Sequence, residues 1–286
     1  MADPEILALR TRDGITSDLR RFEGAGARRS APVIVAPALG VSASYYDPFA
    51  SALADRGFDV FVAEHRGTGS SKVDPRKNDW GYLTMLEHDY ASVLEAVRER
   101  RPDRKPTLLG HSLGGQLGAL YESEKQGSFE ALVLVASCSV HFRGWPLASQ
   151  PRIFVSTQAA GLLGRALGYF PGDKVGFGGV QPTSVMRDWS RQARTGVYAP
   201  KGAKLDYEAA LREVQLPVLA ISIVGDGLAP AGAVDRLLAK MPRAPSIHER
   251  MVPDFAIKTA NDPHFKWARN DGALVARIAR FLADRS

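Results

Sequence analysis

The strongest constraint on the fold of this chain is the alternation of short apolar runs with longer stretches whose apolar residues recur at helical spacing. Short, β-branched runs of this kind are typical of buried strands. Parallel strands cannot be joined by a tight turn, so the alternation predicts an α/β fold with a mostly parallel central sheet and helices on both faces. The predicted strands are 33–35, 60–62, 107–109, 132–135, 218–221 and 247–252. The predicted helices are 46–54, 86–98, 113–125, 234–240 and 273–282.

A hairpin is predicted before this alternation starts. Residues 7–22 hold two polar-apolar alternating stretches on either side of Asp13-Gly14. This dipeptide suits the positive φ angles of a tight turn, so the first two strands should pair in antiparallel fashion.

The alternation fails once, between residues 139 and 211, where no convincing buried strand occurs. A segment of this length is too long for a structureless loop in a compact domain. Its helical patterns predict a cap inserted over the strand ends, and extra helices packed on the sheet are the alternative. We therefore expect a core of residues 1–138 and 212–286, and a helical cap, here called the cap segment, of residues 139–211. The predicted helices of this region are 158–167, 184–194 and 207–214.

Composition excludes several classes of protein. The hydrophobic share of 45%, the charged share of 24% and the mean hydropathy of -0.15 fit neither a disordered chain nor a membrane protein. The single cysteine, Cys138, allows no internal disulfide, and no His/Cys cluster has the spacing of a zinc site, so we expect no metal and no cofactor. The start of the sequence, Met1 to Glu5, lacks the basic and apolar regions of a signal peptide, which predicts a cytoplasmic location.

The formal net charge of +6 is carried by Lys and Arg residues that are spread among acidic residues along the sequence. We interpret them as a solvated surface, with attraction to anionic membranes or nucleic acid as the alternative. Without a basic block or an apolar run of about 18 residues, we expect no nucleic-acid partner and no stable membrane insertion. The sequence leaves homo-oligomerisation open.

A Gly-x-Ser-x-Gly motif, Gly110 to Gly114, follows the predicted strand 107–109 directly and precedes a helical pattern. In such a turn the serine, here Ser112, has a strained backbone and an exposed hydroxyl, and only small residues fit two positions on either side. The helix that follows starts beneath the serine, where its free amide groups favour developing negative charge. The motif therefore predicts that Ser112 is a nucleophile.

The motif resembles the nucleophile turn of the α/β-hydrolase superfamily, and the resemblance covers the chain from the strand at residue 33 to the last helix. Segments 36–40 and 64–70, together with this turn, resemble a bacterial group of serine hydrolases, similar to esterases and lipases, whose substrates are largely unassigned. The resemblance implies a soluble enzyme with a serine, acid and histidine triad in that chain order.

A serine hydroxyl needs a base to take its proton and a carboxylate to orient that base. Residues 225–230, which follow the strand 218–221, resemble the acid loop of the superfamily and make Asp226 the predicted acid. Two histidines follow it in sequence. His264 is the preferred base because it lies in a polar loop before the final helix, where the family carries its base. His248 lies inside a predicted strand and is the alternative.

Two backbone amides must stabilise the oxyanion of the tetrahedral intermediate. One is predicted to be that of Leu113, the residue after the nucleophile. The second should come from the loop after the first parallel strand, where many relatives carry His-Gly and this sequence has Pro37-Ala38. The resemblance then places Leu39 at the donor position.

These features predict a serine hydrolase acting on a small-molecule carboxylic ester or related acyl compound. An acyltransferase with the same triad, or a non-catalytic binder on the same fold, are the alternatives. Many apolar residues of the cap segment cannot all face water, so part of the cap should line a hydrophobic pocket and favour uncharged, hydrophobic acyl groups. These residues are Leu147, Ile153, Phe154, Leu162, Leu163, Leu167, Tyr169, Phe170 and Phe177.

Overall fold

The computed structural model describes residues 3–26, 30–259 and 261–285. Its centre is an eight-stranded sheet in the order β1-β2-β4-β3-β5-β6-β9-β10, in which all pairs from β4 to β10 are parallel. This confirms the predicted mostly parallel sheet. The strands are β1 Glu5–Arg10, β2 Thr16–Glu23, β3 Val33–Ala36, β4 Asp59–Val62, β5 Thr107–His111, β6 Leu132–Val135, β7 Tyr169–Pro171, β8 Val180–Pro182, β9 Val218–Ile223 and β10 Ser246–Met251.

The predicted hairpin opens the fold. Strands β1 and β2 pair in antiparallel register, and β2 joins the sheet by antiparallel pairing with β4. The turn between them contains Gly14 at a φ of 89°, a conformation that glycine adopts without steric cost. The Thr11 amide donates to the Ile15 carbonyl and closes the turn.

Helices cover both faces of the sheet. Neighbouring residues of a strand point to opposite faces, so Val33 and Val35 join one core with α1 and α12, while Ile34 joins the other core with α3, α4 and α9. The helices are α1 Asp47–Ala54, α2 Tyr82–Thr84, α3 Ala91–Arg100, α4 Leu113–Glu124, α5 Gln150–Leu167, α6 Gly172–Val175, α7 Thr183–Thr195, α8 Tyr207–Arg212, α9 Ala231–Leu238, α10 Asp262–Phe265, α11 Trp267–Asn270 and α12 Gly272–Ala283. The described ranges also contain 3₁₀ turns at Ala43–Tyr46, Phe142–Gly144 and Leu147–Ser149 and a π-helical turn at Met85–Tyr90. None of the helices in the described ranges combines the length and the apolarity needed to cross a bilayer.

Strand β10 departs from the prediction of a buried strand. It pairs only with β9 and forms the edge of the sheet, and the side chain of Ile247 is 45% exposed. Four of its six residues are polar, Ser246 and the consecutive His248, Glu249 and Arg250, a composition suited to an exposed edge strand.

The sequence predicted a purely helical cap segment, but the structure also contains strands there. Between α5 and α7 it contains β7 and β8, three residues each, which pair with one another in antiparallel fashion outside the main sheet. Strands this short, each containing a proline, give no periodic signal in a sequence. Helices α5 and α7 lie antiparallel and closely packed, because Gly161 faces Ser190 and Gly164 faces Met186. The division of the chain into a core and a cap stays a prediction.

Candidate active site

The predicted nucleophile lies at the sharp turn between β5 and α4. Ser112 has φ 52° and ψ -115°, a region that non-glycine residues rarely adopt, so the backbone is strained there. A Cβ atom added at Gly110 would lie 2.2 Å from the Cα of Gly115, and one at Gly114 would lie 2.2 Å from the carbonyl oxygen of Ala36. Both flanking positions therefore require glycine, and the turn can form because the sequence has glycine at each of them.

Asp226 and His264 are hydrogen bonded to one another. The distance between Asp226 Oδ2 and His264 Nδ1 is 2.8 Å, and both side chains are buried. The other carboxylate oxygen, Oδ1, accepts from the backbone amides of Leu228 and Ala229 at 2.8 and 3.0 Å. The loop after β9 thus fixes the carboxylate, and the carboxylate fixes the imidazole ring. This hydrogen bond uses the Nδ1 atom of the ring and leaves Nε2 outside it.

His264 lies in the short helix α10 and not in the polar loop that the sequence analysis expected. Asp262, two residues earlier, organises this helix: its carboxylate accepts from the backbone amides of Lys258 and Thr259 and from the Lys266 ammonium group. The hydrogen bond from Lys266 is the largest cause that holds the pKa of Asp262 below its ordinary value. This network places His264 next to Asp226.

The alternative base, His248, lies elsewhere. On β10 its Nδ1 is 2.6 Å from Asp235 Oδ1 and its Nε2 is 2.9 Å from Ser222 Oγ, so both ring nitrogens have partners. Asp254, a carboxylate that follows β10 in the sequence, accepts from the backbone amides at the start of α12. Neither residue lies at the cavity that contains Ser112.

Ser112 and His264 line the same cavity, whose volume is about 450 Å³. The cap segment forms most of its wall, and none of the lining side chains in the described ranges is Asp, Glu, Lys or Arg. Such a cavity suits an apolar ligand with few polar groups. The apolar wall residues are Ala38, Leu39, Leu113, Val140, Trp145, Ile153, Ala159, Ala160, Leu163, Phe170, Val175, Phe177, Trp189, Leu228 and Phe265.

A buried tyrosine connects the loop after β3 to the nucleophile turn. The hydroxyl of Tyr46 accepts a hydrogen bond of 2.9 Å from the backbone amide of Ala38 and lies 2.7 Å from His111 Nδ1. The hydroxyl therefore links the Ala38 amide to the His111 ring. Burial holds the pKa of His111 well below its ordinary value, so the ring is neutral. The two predicted oxyanion residues, Leu39 and Leu113, both line the cavity.

Sequence reasoning missed Tyr46 and one further polar residue, Gln116. Gln116 lies one helical turn after Ser112 and lines the cavity, and its Oε1 accepts from the Tyr198 hydroxyl at 2.9 Å. Its N–H groups are therefore the donors that this residue can offer a ligand. The spacing of four residues from Ser112 on a predicted helix could have located Gln116. No sequence pattern indicates the contact between Tyr46 and His111.

Cys138 also lines the cavity, but burial raises the pKa of its thiol, so it is held as a thiol rather than a nucleophilic thiolate. In the described ranges, no group of three His, Cys, Asp or Glu residues is arranged to hold a metal ion.

Comparison with protein families identifies the fold with a known group. The family described as serine aminopeptidase, S33, matches residues 27–188, more than half of the chain. The chain belongs to this α/β-hydrolase family. The matched range contains the nucleophile turn, and Asp226 and His264 lie beyond it.

Curated relatives match over part of their length. Lysophospholipase L2 of Escherichia coli is 30% identical over 107 residues, which are 36% of this chain and 32% of that protein. The monoglyceride lipase of Mus musculus is 25% identical over 104 residues, which are 36% and 34% of the two chains. The matched part of this chain thus spans about a third of the length of both relatives.

Solved structures share the fold over nearly the whole chain. An esterase from Rhodococcus sp. ECU1013 has a TM-score of 0.58 at 18% identity, covering 98% of this chain and 99% of that one. A hydrolase from Pseudomonas aeruginosa PA01 has the same TM-score at 21% identity, covering 97% and 98%. At these identities the likeness concerns the fold alone.

Proposed function

We propose that this chain is a serine hydrolase that cleaves carboxylic esters of hydrophobic acyl groups through an acyl-enzyme on Ser112. The observation that carries the proposal is the hydrogen bond between Asp226 and His264 at the wall of an apolar cavity that also contains Ser112. Membership of a hydrolase family agrees with it. The names of two relatives, a lysophospholipase and a monoglyceride lipase, support the ester class.

In the proposed first step, Ser112 Oγ attacks the ester carbonyl carbon while His264 Nε2 takes the hydroxyl proton. Asp226 holds the imidazole in the tautomer that leaves Nε2 free and stabilises the imidazolium that forms. The imidazolium then gives this proton to the departing alcohol, and the acyl group remains on Ser112. A water molecule, deprotonated by the same ring, releases the carboxylic acid and restores the serine.

The proposed oxyanion donors are the backbone amides of Leu113 and Leu39. Leu113 is the first residue of α4, where an amide has no acceptor within the helix. The amide of Ala38 is occupied by the Tyr46 hydroxyl, which leaves Leu39 as the donor of that loop nearest the cavity. Each such donor contributes about a hundredfold to a thousandfold to the rate.

The cavity supports an ester in preference to a peptide. An aminopeptidase has to hold the ammonium group of its substrate, and none of the lining side chains in the described part of the chain is acidic. An uncharged acyl chain, in contrast, meets aromatic and aliphatic groups along the wall.

A series of p-nitrophenyl esters from acetate to laurate tests the proposal. We expect kcat/KM to rise by about fourfold for each added CH₂ until the cavity is filled, because burying one CH₂ contributes about 0.8 kcal/mol. The Ser112→Ala variant, in which the fold keeps its packing, is the matched control and should lose roughly three or more decades of activity. A flat series or a maximum at acetate would contradict the hydrophobic acyl site, and a Ser112→Ala variant with more than a tenth of wild-type turnover would contradict the nucleophile.

A further inference from the structure

The cap segment carries a surplus of positive charge. The cap segment contains nine Lys and Arg residues and only four Asp and Glu residues, a surplus of five positive charges in a chain whose net charge is +6. Along the sequence the cations lie among acidic residues and form no run, which favoured the interpretation of a solvated surface. Folding concentrates them instead, because residues four and three apart on a helix share one face.

A groove between α5 and α7 collects five of these cations. It has a volume of about 600 Å³ and lies on the side of α5 that faces away from the Ser112 cavity. Arg187 has a buried acidic neighbour, Asp188, whereas the described residues supply no acidic partner to Arg165, Arg194 or Lys201. The lining cations are Arg165, Arg187, Arg191, Arg194 and Lys201.

Large apolar side chains are exposed beside this groove. Helix α5 contains no acidic residue, and along it Val155 is 64% exposed, Leu162 67% and Leu167 51%. Of the thirteen large apolar side chains that are exposed in the described ranges, eight lie in the cap segment, a quarter of the chain. Leu162 also lines the cationic groove, and Val155, seven residues earlier, shares its face of α5, so these two side chains and the cations form one surface. Leu167, seven residues after Ala160, lies on the cavity side of the helix and is not part of this surface.

We propose that this surface, formed by Val155, Leu162 and the cationic groove, docks on the surface of an anionic lipid bilayer. A helix with exposed leucines and flanking arginines lies in the membrane interface, its apolar side chains among the acyl chains and its cations at the phosphates. The opposite face of α5 lines the Ser112 cavity with Ile153, Ala160 and Leu163. One helix would thus contact both the bilayer and the ligand.

Other partners fit these residues less well. Nucleic acid would use the cations but would leave the exposed side chains of Val155 and Leu162 in water. A second copy of this chain, packed through the same surface on a two-fold axis, would bring the arginines of both copies together without acidic partners. An anionic bilayer satisfies both the charge and the apolar groups.

Vesicle sedimentation tests the proposal without relying on hydrolysis, so its outcome is independent of the proposed function. The full chain should bind vesicles of phosphatidylglycerol and phosphatidylcholine at low salt and bind pure phosphatidylcholine vesicles far less. Replacing Arg165, Arg191 and Arg194 together by Gln should lower the partition coefficient about a hundredfold, because each cation near an anionic surface contributes about a fivefold factor. The matched control replaces Arg56, Lys72 and Arg250, exposed cations outside the cap segment, by Gln and should change binding little.

The apolar contribution is tested separately. Replacing Val155 and Leu162 by Ser should lower binding at least tenfold, including at high salt, where the charge contribution is screened. The corresponding control replaces the exposed Ile6 and Val252 by Ser. Thermal melting of every variant establishes that it is folded.

Three results would overturn the proposal. The first is an absence of wild-type binding to the anionic vesicles at low salt. The second is an equal loss of binding in the cap variants and their controls. The third is binding to duplex DNA without binding to vesicles, which would assign the surface to a different polyanion.

Discussion

The hydroxyl of Tyr46 gives the sharpest test of how the oxyanion site is held. It joins the Ala38 amide, next to the proposed donor Leu39, to His111, next to the proposed nucleophile. Tyr46→Phe removes this connection while it keeps the ring that packs against Trp267. We expect a fall in both stability and rate.

The magnitude follows from the two hydrogen bonds that are lost. The Ala38 amide and His111 Nδ1 would each be left buried without a partner, at a cost of about 1 to 3 kcal/mol per group, so the free energy of unfolding should fall by about 2 to 6 kcal/mol. A full loss of one oxyanion donor costs roughly a hundredfold to a thousandfold in kcat. Because the Leu39 loop would be loosened and not removed, we expect kcat to fall about tenfold to a hundredfold.

The assay is steady-state hydrolysis of a p-nitrophenyl ester with urea unfolding of the same preparation. An oxyanion donor acts in the transition state, so kcat should fall and KM should stay nearly constant. Tyr45→Phe is the matched control, since it removes a half-buried hydroxyl from the adjacent residue. Wild-type kcat in the Tyr46→Phe variant, or an equal loss in Tyr45→Phe, would refute the positioning role.

Three further predictions concern histidines and carboxylates. His264→Ala should lose as much activity in ester hydrolysis as Ser112→Ala does, whereas His248→Ala should change the free energy of unfolding more than kcat. The reverse pattern would assign the base to His248. Asp226→Asn should lower kcat by about four decades through the wrong imidazole tautomer, while Asp254→Asn, which affects only a helix start, should stay near wild type; equal activity of both variants would contradict the acid assignment. Burial lowers the pKa of His65 to about 4 from an ordinary 6.5. The unfolded chain therefore binds a proton at this residue before the folded chain does. The resulting contribution to the free energy of unfolding, up to about 3 kcal/mol, is present above pH 6.5 and lost as the pH falls towards 4. Urea unfolding at several pH values should show a shallower loss in His65→Gln than in the wild type, and parallel curves would contradict this.

The parts of the fold that depend on local sequence were predictable. Gly110 and Gly114 are required by contacts with backbone atoms only a few residues or one strand away, so the turn around Ser112 follows from its motif. The parallel strands β3, β4, β5, β6 and β9 are buried on both faces, and their apolar runs therefore stand out in the sequence. The resemblance to a superfamily then ordered the acid and the base along the chain, and the structure brings Asp226 and His264 together.

The parts that depend on tertiary contacts were not predictable. Tyr46 meets His111 across 65 residues of sequence, and no periodicity indicates such a pair. The edge position of β10 depends on which strands neighbour it, which also decides how far Ile247 is exposed. The cationic groove forms only when α5 and α7 lie side by side, so the separate positions of Arg165 and Arg191 in the sequence give no sign of it.

Covalent labelling of the proposed nucleophile tests the central claim most directly. A fluorophosphonate reacts with an activated serine, and intact mass measurement followed by peptide mapping locates the adduct. We predict one adduct per chain, on Ser112 in the peptide that contains Gly110 to Gly114, with labelling lost in Ser112→Ala and greatly slowed in His264→Ala. Labelling at a different residue, or undiminished labelling of the Ser112→Ala variant, would contradict the assignment.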